Sequence, residues 1–205
     1  MAGRKKHQGK ERVPVIQFDE KSHTYTLDGV ELPSVTHICR FLAYDYKSDK
    51  PWLAETAARR GTAVHEACAL IDYGETPEET PEIAGYLKAY RRFLKDYRPD
   101  WELIEYPMGN LEFGYAGTLD RYGTLYDGRS CILDIKTGQL HGPSLRAQLT
   151  AYQELMPLWH STPDYLYALK LSKDGTYELT EVRYDLELLK ICLFMNQAVE
   201  RKKRA

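Results

Sequence analysis

Residues 116–138 read AGTLDRYGTLYDGRSCILDIKTG, and this stretch decides both the fold and the place of the chemistry. Residues 131–138 have the composition of a buried strand, yet Asp134 and Lys136 stand inside it. Alternation along a strand puts Asp134 and Lys136 on one face and Leu133 and Ile135 on the other. The preceding turn sets what lies opposite. A two-residue turn at Asp127-Gly128 pairs Asp120 with Ile135, whereas a three-residue loop, Tyr126-Asp127-Gly128, pairs Asp120 with Asp134. The longer loop wants a left-handed residue last, and a glycine stands there. In that register Asp120, Asp134 and Lys136 share one face of two adjacent strands. Two carboxylates brought together repel and lose hydration. Lys136 alone leaves the group one charge short, so the arrangement asks for a divalent cation held by oxygen ligands.

Working outward, residues 15–34 read as a small β-hairpin or meander turning at Asp28-Gly29. Ser34 is placed to cap a helix reaching Leu42, and a longer helix follows Pro51 and stops at Gly74. Residues 82–97 are helical in period. Strands follow over 101–107, 115–125 and 130–137, then a helix over 144–156, strands over 165–171 and 176–183, and a last helix from Asp185. This order predicts an α/β fold with a central mixed sheet flanked by helices and a small N-terminal hairpin. Residues 1–13 read as a disordered basic tail ahead of a single domain over 14–205.

The long helix carries a third element, RRGTAVHEACALI. His65 has Gly61, Thr62, Cys68 and Ala69 as its three- and four-residue neighbours, so this face can approach another element closely. A glycine inside a helix costs about 1 kcal/mol relative to alanine, so Gly61 is expected to serve packing. Two readings stay open for His65: a core histidine satisfied by a backbone carbonyl, or a nitrogen ligand beside the two carboxylates.

The net charge of −2 gives no overall attraction to nucleic acid, so any polyanion site must be a local patch. The four cysteines are scattered, with no C-x-x-C pair, which argues against a zinc or iron–sulfur site, and nothing in their spacing suggests a disulfide framework. No signal peptide or membrane-length apolar run is read, and a cytoplasmic location and no membrane partner are expected.

GTAVH, GTLD, LDIKTG and QLTAY, in this order and at these separations, resemble the motifs of the PD-(D/E)xK nuclease superfamily. The similarity is to the RecB-like branch, which includes phage-encoded exonucleases and CRISPR-associated adaptation nucleases. HTYTLDGVELPSVTHI is also similar to the opening of phage members, and the resemblance covers roughly residues 18–156. It implies a restriction-endonuclease-like core. It also implies a Mg²⁺ or Mn²⁺ site held by His65, Asp120, Asp134 and the carbonyl of Ile135, with Lys136 acting on the attacking water and the phosphate. Gln148 and Tyr152 match the family's Gln and Tyr, the first as an active-site residue and the second as a substrate contact. Leu145, Leu149, Tyr152 and Leu155 read equally as a buried helical stripe.

Two departures stand out. Ala69 sits where many members carry a glutamate four residues after the histidine, and only Cys192 lies where iron–sulfur members cluster cysteines, so no such cluster is expected. Arg59 and Arg60, with Arg91, Arg92 and Lys95, read either as a path for a DNA backbone or as solvated helix faces. The function implied is a deoxyribonuclease in DNA recombination, repair or phage DNA metabolism, with exonuclease as the favoured form. It would act in a bacterial or phage-infected host cell, and a recombination or single-strand-annealing protein is a candidate partner. The rivals are a non-catalytic DNA-binding or assembly protein on the same fold and a structure-specific endonuclease.

Overall fold

The computed structural model describes residues 16–19, 22, 24–42, 51–157 and 160–204. The basic tail expected over residues 1–13 lies outside them. At the N-terminal side, β1 (Ile16–Asp19), β2 (Thr24–Leu27) and β3 (Val30–Leu32) form an antiparallel sheet in that order. Asp28 and Gly29 between β2 and β3 are both left-handed, at φ 49° and 82°, the geometry that matches the twist of a tight hairpin. Ser34 caps α1 (Val35–Ile38), its hydroxyl accepting from the His37 N–H at 3.0 Å, and a 3-10 helix, Cys39–Leu42, continues the turn. The helix expected through Leu42 therefore tightens after one turn. Then come α2 (Pro51–Asp72), α3 (Ala84–Tyr97), β4 (Asp100–Asn110), β5 (Tyr115–Thr124), β6 (Ser130–Lys136), α4 (Gly142–Leu155), β7 (Tyr165–Leu171), β8 (Tyr177–Glu181) and α5 (Leu186–Arg204).

The main sheet has the order β4-β5-β6-β7-β8. It is mixed: only β6 and β7 run parallel, joined by the crossover through α4, and the other neighbours are antiparallel. Alternation along β6 divides the core. Ile132 packs with Leu145 and Leu149 of α4, Val35 and Ile38 of α1 and Leu189 of α5. Cys131, Leu133 and Ile135 pack with Val64 and Cys68 of α2 and Leu87 and Phe93 of α3. The sheet is thus the middle of three layers. The small N-terminal sheet adds its own cluster, Tyr25, Leu27 and Leu32 against Ala116 at the start of β5.

The loop after β5 is the three-residue form. Leu125 N–H donates to the Arg129 carbonyl and Gly128 N–H to the Leu125 carbonyl, each at 2.9 Å, with Gly128 at φ 84°. The pairs Thr124↔Ser130, Gly123↔Cys131, Tyr122↔Ile132 and Arg121↔Leu133 follow, and one further step sets Asp120 opposite Asp134. Gly117, in the same GTLD segment, sits where α1 and α4 close on β5. A Cβ there would stand 2.8 Å from Val35 Cγ2 and 2.9 Å from the Tyr152 ring, so the glycine is what lets the layers meet. Gly61 differs: a Cβ would meet only the Thr137 hydroxyl at 3.8 Å, an ordinary contact. Among the described residues nothing packs closely enough on it to supply the expected packing reason. Among the described residues no helix is long and apolar enough to cross a membrane, and all four cysteines are buried free thiols.

Candidate active site

Beyond Arg121↔Leu133 the β5–β6 ladder stops and side chains take over. Asp120 Oδ2 accepts from the Ile135 N–H at 2.6 Å, and the Ile135 carbonyl accepts from His65 Nε2 at 3.0 Å. The strands fork here because two polar side chains satisfy the backbone groups that a continuing ladder would have paired. The row extends into β4. Ile104↔Arg121 and Tyr106↔Leu119 are paired, which sets Glu105 opposite Asp120. Glu105, Asp120 and Asp134 therefore form one row of carboxylates across three neighbouring strands.

Glu105 is left-handed at φ 45°, just past a register shift between Trp101 and Leu103. That conformation costs a non-glycine residue about 1–3 kcal/mol and persists only where the surroundings hold it. Its carboxylate turns toward α2. His65 Nδ1 lies 3.5 Å from Glu105 Oε1 and 3.5 Å from Asp120 Oδ1. Because a carbonyl can only accept, His65 carries a proton on Nε2, and Nδ1 is the atom turned to the carboxylates. Among the described residues, His65, Glu105 and Asp120 form a group of possible metal ligands whose atoms all lie within 4.8 Å of one another.

Burial and neighbouring charges shift the ionisable groups of the site strongly. Burial opposes the charge on His65, but Asp120 and Glu105 override it and lift the imidazole from 6.5 to about 9. Burial raises Asp120 from 3.8 to about 7, helped by Asp134 and Glu105 and opposed by His65. Glu105 is also pushed up by burial, yet His65 and Arg121 hold it below the ordinary carboxylate value. It remains an anion. Protons on His65 and Asp120 offset part of the buried negative charge.

Asp134 has other partners. Its Oδ2 pairs with Lys136 Nζ at 2.7 Å, and its Oδ1 accepts from Gln148 Nε2 of α4 at 3.1 Å. Burial works against the charge on Lys136, but Asp134 and Asp120 raise its pKa above the usual lysine value, so it stays an ammonium. Lys136 and Gln148 wall a recess of about 80 Å³ with His141 and Ser144 at the start of α4. Lys136 remains 31% exposed along its side chain, while Asp134 is 2% exposed.

The expected residues thus fall into groups. His65 and Asp120 meet, and Asp134, Lys136 and Gln148 stand beside them on the α4 side. The Ile135 carbonyl, expected as a metal ligand, accepts from His65 Nε2, and Glu105 stands next to His65 and Asp120. Tyr152 is a core residue, 5% exposed, with Gln148, Asp120 and Asp134 acting on its phenol. Arg59 is exposed on α2, and the Arg60 guanidinium lies over the Tyr86 ring at 5.6 Å. Arg91 pairs with Glu79 at 2.6 Å and Arg92 with Asp96 at 3.9 Å, so neither is held toward the fork.

Sequence reasoning missed Glu105 and Arg121. A signal for Glu105 existed: in residues 100–110 it is a carboxylate between Ile104 and Tyr106, level with Asp120 once β4 and β5 pair. The left-handed turn that aims it is invisible in spacing. In comparison with known proteins, no family model matches this chain and no curated protein sequence is significantly similar to it.

Proposed function

We propose that this chain is a divalent-metal-dependent deoxyribonuclease of the PD-(D/E)xK kind that works from DNA ends. The observation that carries the reading is the β5–β6 fork, where His65, Glu105 and Asp120 converge beside a charged Lys136. One imidazole nitrogen with two carboxylates suits Mn²⁺ or Mg²⁺. An ion bound by these residues supplies a Lewis acid for the phosphate oxygens and the water. His65 gives up its Nδ1 proton when that atom serves as a ligand, and the Ile135 carbonyl keeps the ring in place through Nε2.

Lys136 has a different part. Held as an ammonium by Asp134, it is a fixed cation at the mouth of the recess, placed to orient water and to take up charge on the attacked phosphate. Gln148 holds the other Asp134 oxygen and so keeps the Asp134–Lys136 pair in its geometry. The net charge of −2 and the pairing of Arg91 and Arg92 with acids argue against a broad grip on duplex DNA. That supports attack at a frayed or threaded end.

The test is incubation with end-labelled linear DNA and covalently closed circles, each with Mg²⁺, Mn²⁺ or EDTA. Linear DNA is expected to be degraded only with metal, more slowly as salt rises, while closed circles survive. Nicking of relaxed circles at the linear rate would make the protein a structure-specific endonuclease. Bound ions with no cleavage of any DNA would make it a DNA-binding protein on a nuclease fold.

A further inference from the structure

Arg121 follows Asp120 on β5, and its side chain is 0% exposed. Its Nε donates to Asp72 Oδ2 at 2.6 Å, while Nη1 donates to Glu105 Oε1 at 2.8 Å and to the Asp120 carbonyl at 2.6 Å. Asp72, at the end of α2, also accepts from the Tyr90 phenol of α3 at 2.6 Å. An unbroken chain of polar contacts therefore runs from Tyr90 through Asp72, Arg121 and Glu105 to His65. The proposed reaction uses none of Tyr90, Asp72 or Arg121.

Burying an arginine is expensive unless its bonds are made, so this one needs a reason. A planar guanidinium can hold two carboxylates at fixed directions, which an ammonium cannot do. Here one edge is anchored to the helix layer and the other reaches Glu105, the residue with the left-handed backbone. We propose that Arg121 is the positioning residue of the metal centre. It holds Glu105 Oε1 against His65 Nδ1 and Asp120 Oδ1, while Asp72 and Tyr90 fix the plane of the guanidinium. This inference rests on the reading of the fork as a metal site.

The experiment is calorimetric titration of Mn²⁺ into the whole chain as wild type, R121K, E105Q and R121K/E105Q, with folding checked by circular dichroism. E105Q and R121K should each weaken Mn²⁺ binding, R121K by roughly tenfold, in the range typical of residues that orient ligands. The double variant should bind no more weakly than E105Q alone, because Arg121 acts through Glu105. A merely structural arginine would lower melting temperature in both backgrounds and leave this coupling at zero. Wild-type affinity in folded R121K, or an equal R121K effect in the E105Q background, overturns the role. If R121K does not fold, Y90F decides: a severalfold loss that vanishes in the E105Q background supports the role, and unchanged binding overturns it. Absence of Mn²⁺ binding by the wild-type chain overturns the metal reading itself, and the role of Arg121 with it.

Discussion

The two sides of the β5–β6 fork hold the same kinds of groups to different ends. On the α4 side, Asp134 has Lys136 on one oxygen and Gln148 on the other, and the charge is balanced within the protein. On the α2 side, Arg121 meets Glu105, while Asp120 faces His65 and is balanced by keeping protons, with His65 lifted to about 9 and Asp120 to about 7. The contrast separates a carboxylate whose cation the chain supplies from one whose charge is offset by retained protons. A buried carboxylate with a fixed cation has its partner. One that must raise its own pKa and that of a histidine does not.

The sharpest way to break this contrast is to damage one side at a time. Asp120→Ala is expected to abolish both Mn²⁺ binding and cleavage. Lys136→Met should leave Mn²⁺ affinity within about threefold and lower cleavage by roughly 10²–10³-fold, the scale of losing one fixed charge-stabilising group. Calorimetry and end-labelled cleavage on the same samples separate the two. Loss of Mn²⁺ binding in a folded Lys136→Met chain would merge the two sides into one site.

A second effect is carried by protons. Between about 6.5 and 9 the folded chain holds a His65 proton that the unfolded chain releases, so this contribution is full below 6.5 and gone above 9. Asp120 acts in the same direction over the lower window, from 3.8 to about 7, being protonated in the fold and ionised when unfolded. Stability of the metal-free chain should therefore fall as pH rises, by up to about 3 kcal/mol from His65 alone. Thermal unfolding in EDTA across this range measures it. Saturating Mn²⁺ should flatten the slope, since the ion takes the place of the proton. A metal-free melting temperature that does not move between pH 6 and 9 would contradict these shifts.

Much of this was legible from local rules. Gly128 in the last loop position set the register, and the register placed Asp120 level with Asp134. Periodicity and turn residues placed the helices and strands to within a few residues, because each element here follows its own local preference. Glu105 and Arg121 escaped for a physical reason. One depends on a single backbone dihedral just past a register shift, and the other on partners, Asp72 and Tyr90, brought in by the tertiary fold. Tyr152, which reads both as a substrate contact by resemblance and as part of a buried stripe, packs in the core. Gly61 was credited with a close contact that the Thr137 hydroxyl at 3.8 Å does not make. Gly61→Ala should consequently stabilise the chain by about 1 kcal/mol, through helix propensity alone. A fall in melting temperature would contradict this.

The most direct measurement of the central claim is anomalous diffraction from crystals of the whole chain soaked with Mn²⁺. The account predicts one strong peak at the fork, within coordination distance of His65 Nδ1 and of the Glu105 and Asp120 carboxylates, with Asp134 still paired to Lys136. No peak there at a concentration that saturates the protein in solution would contradict it. So would an ion held by Asp134 while Glu105 stays on Arg121 and takes no part.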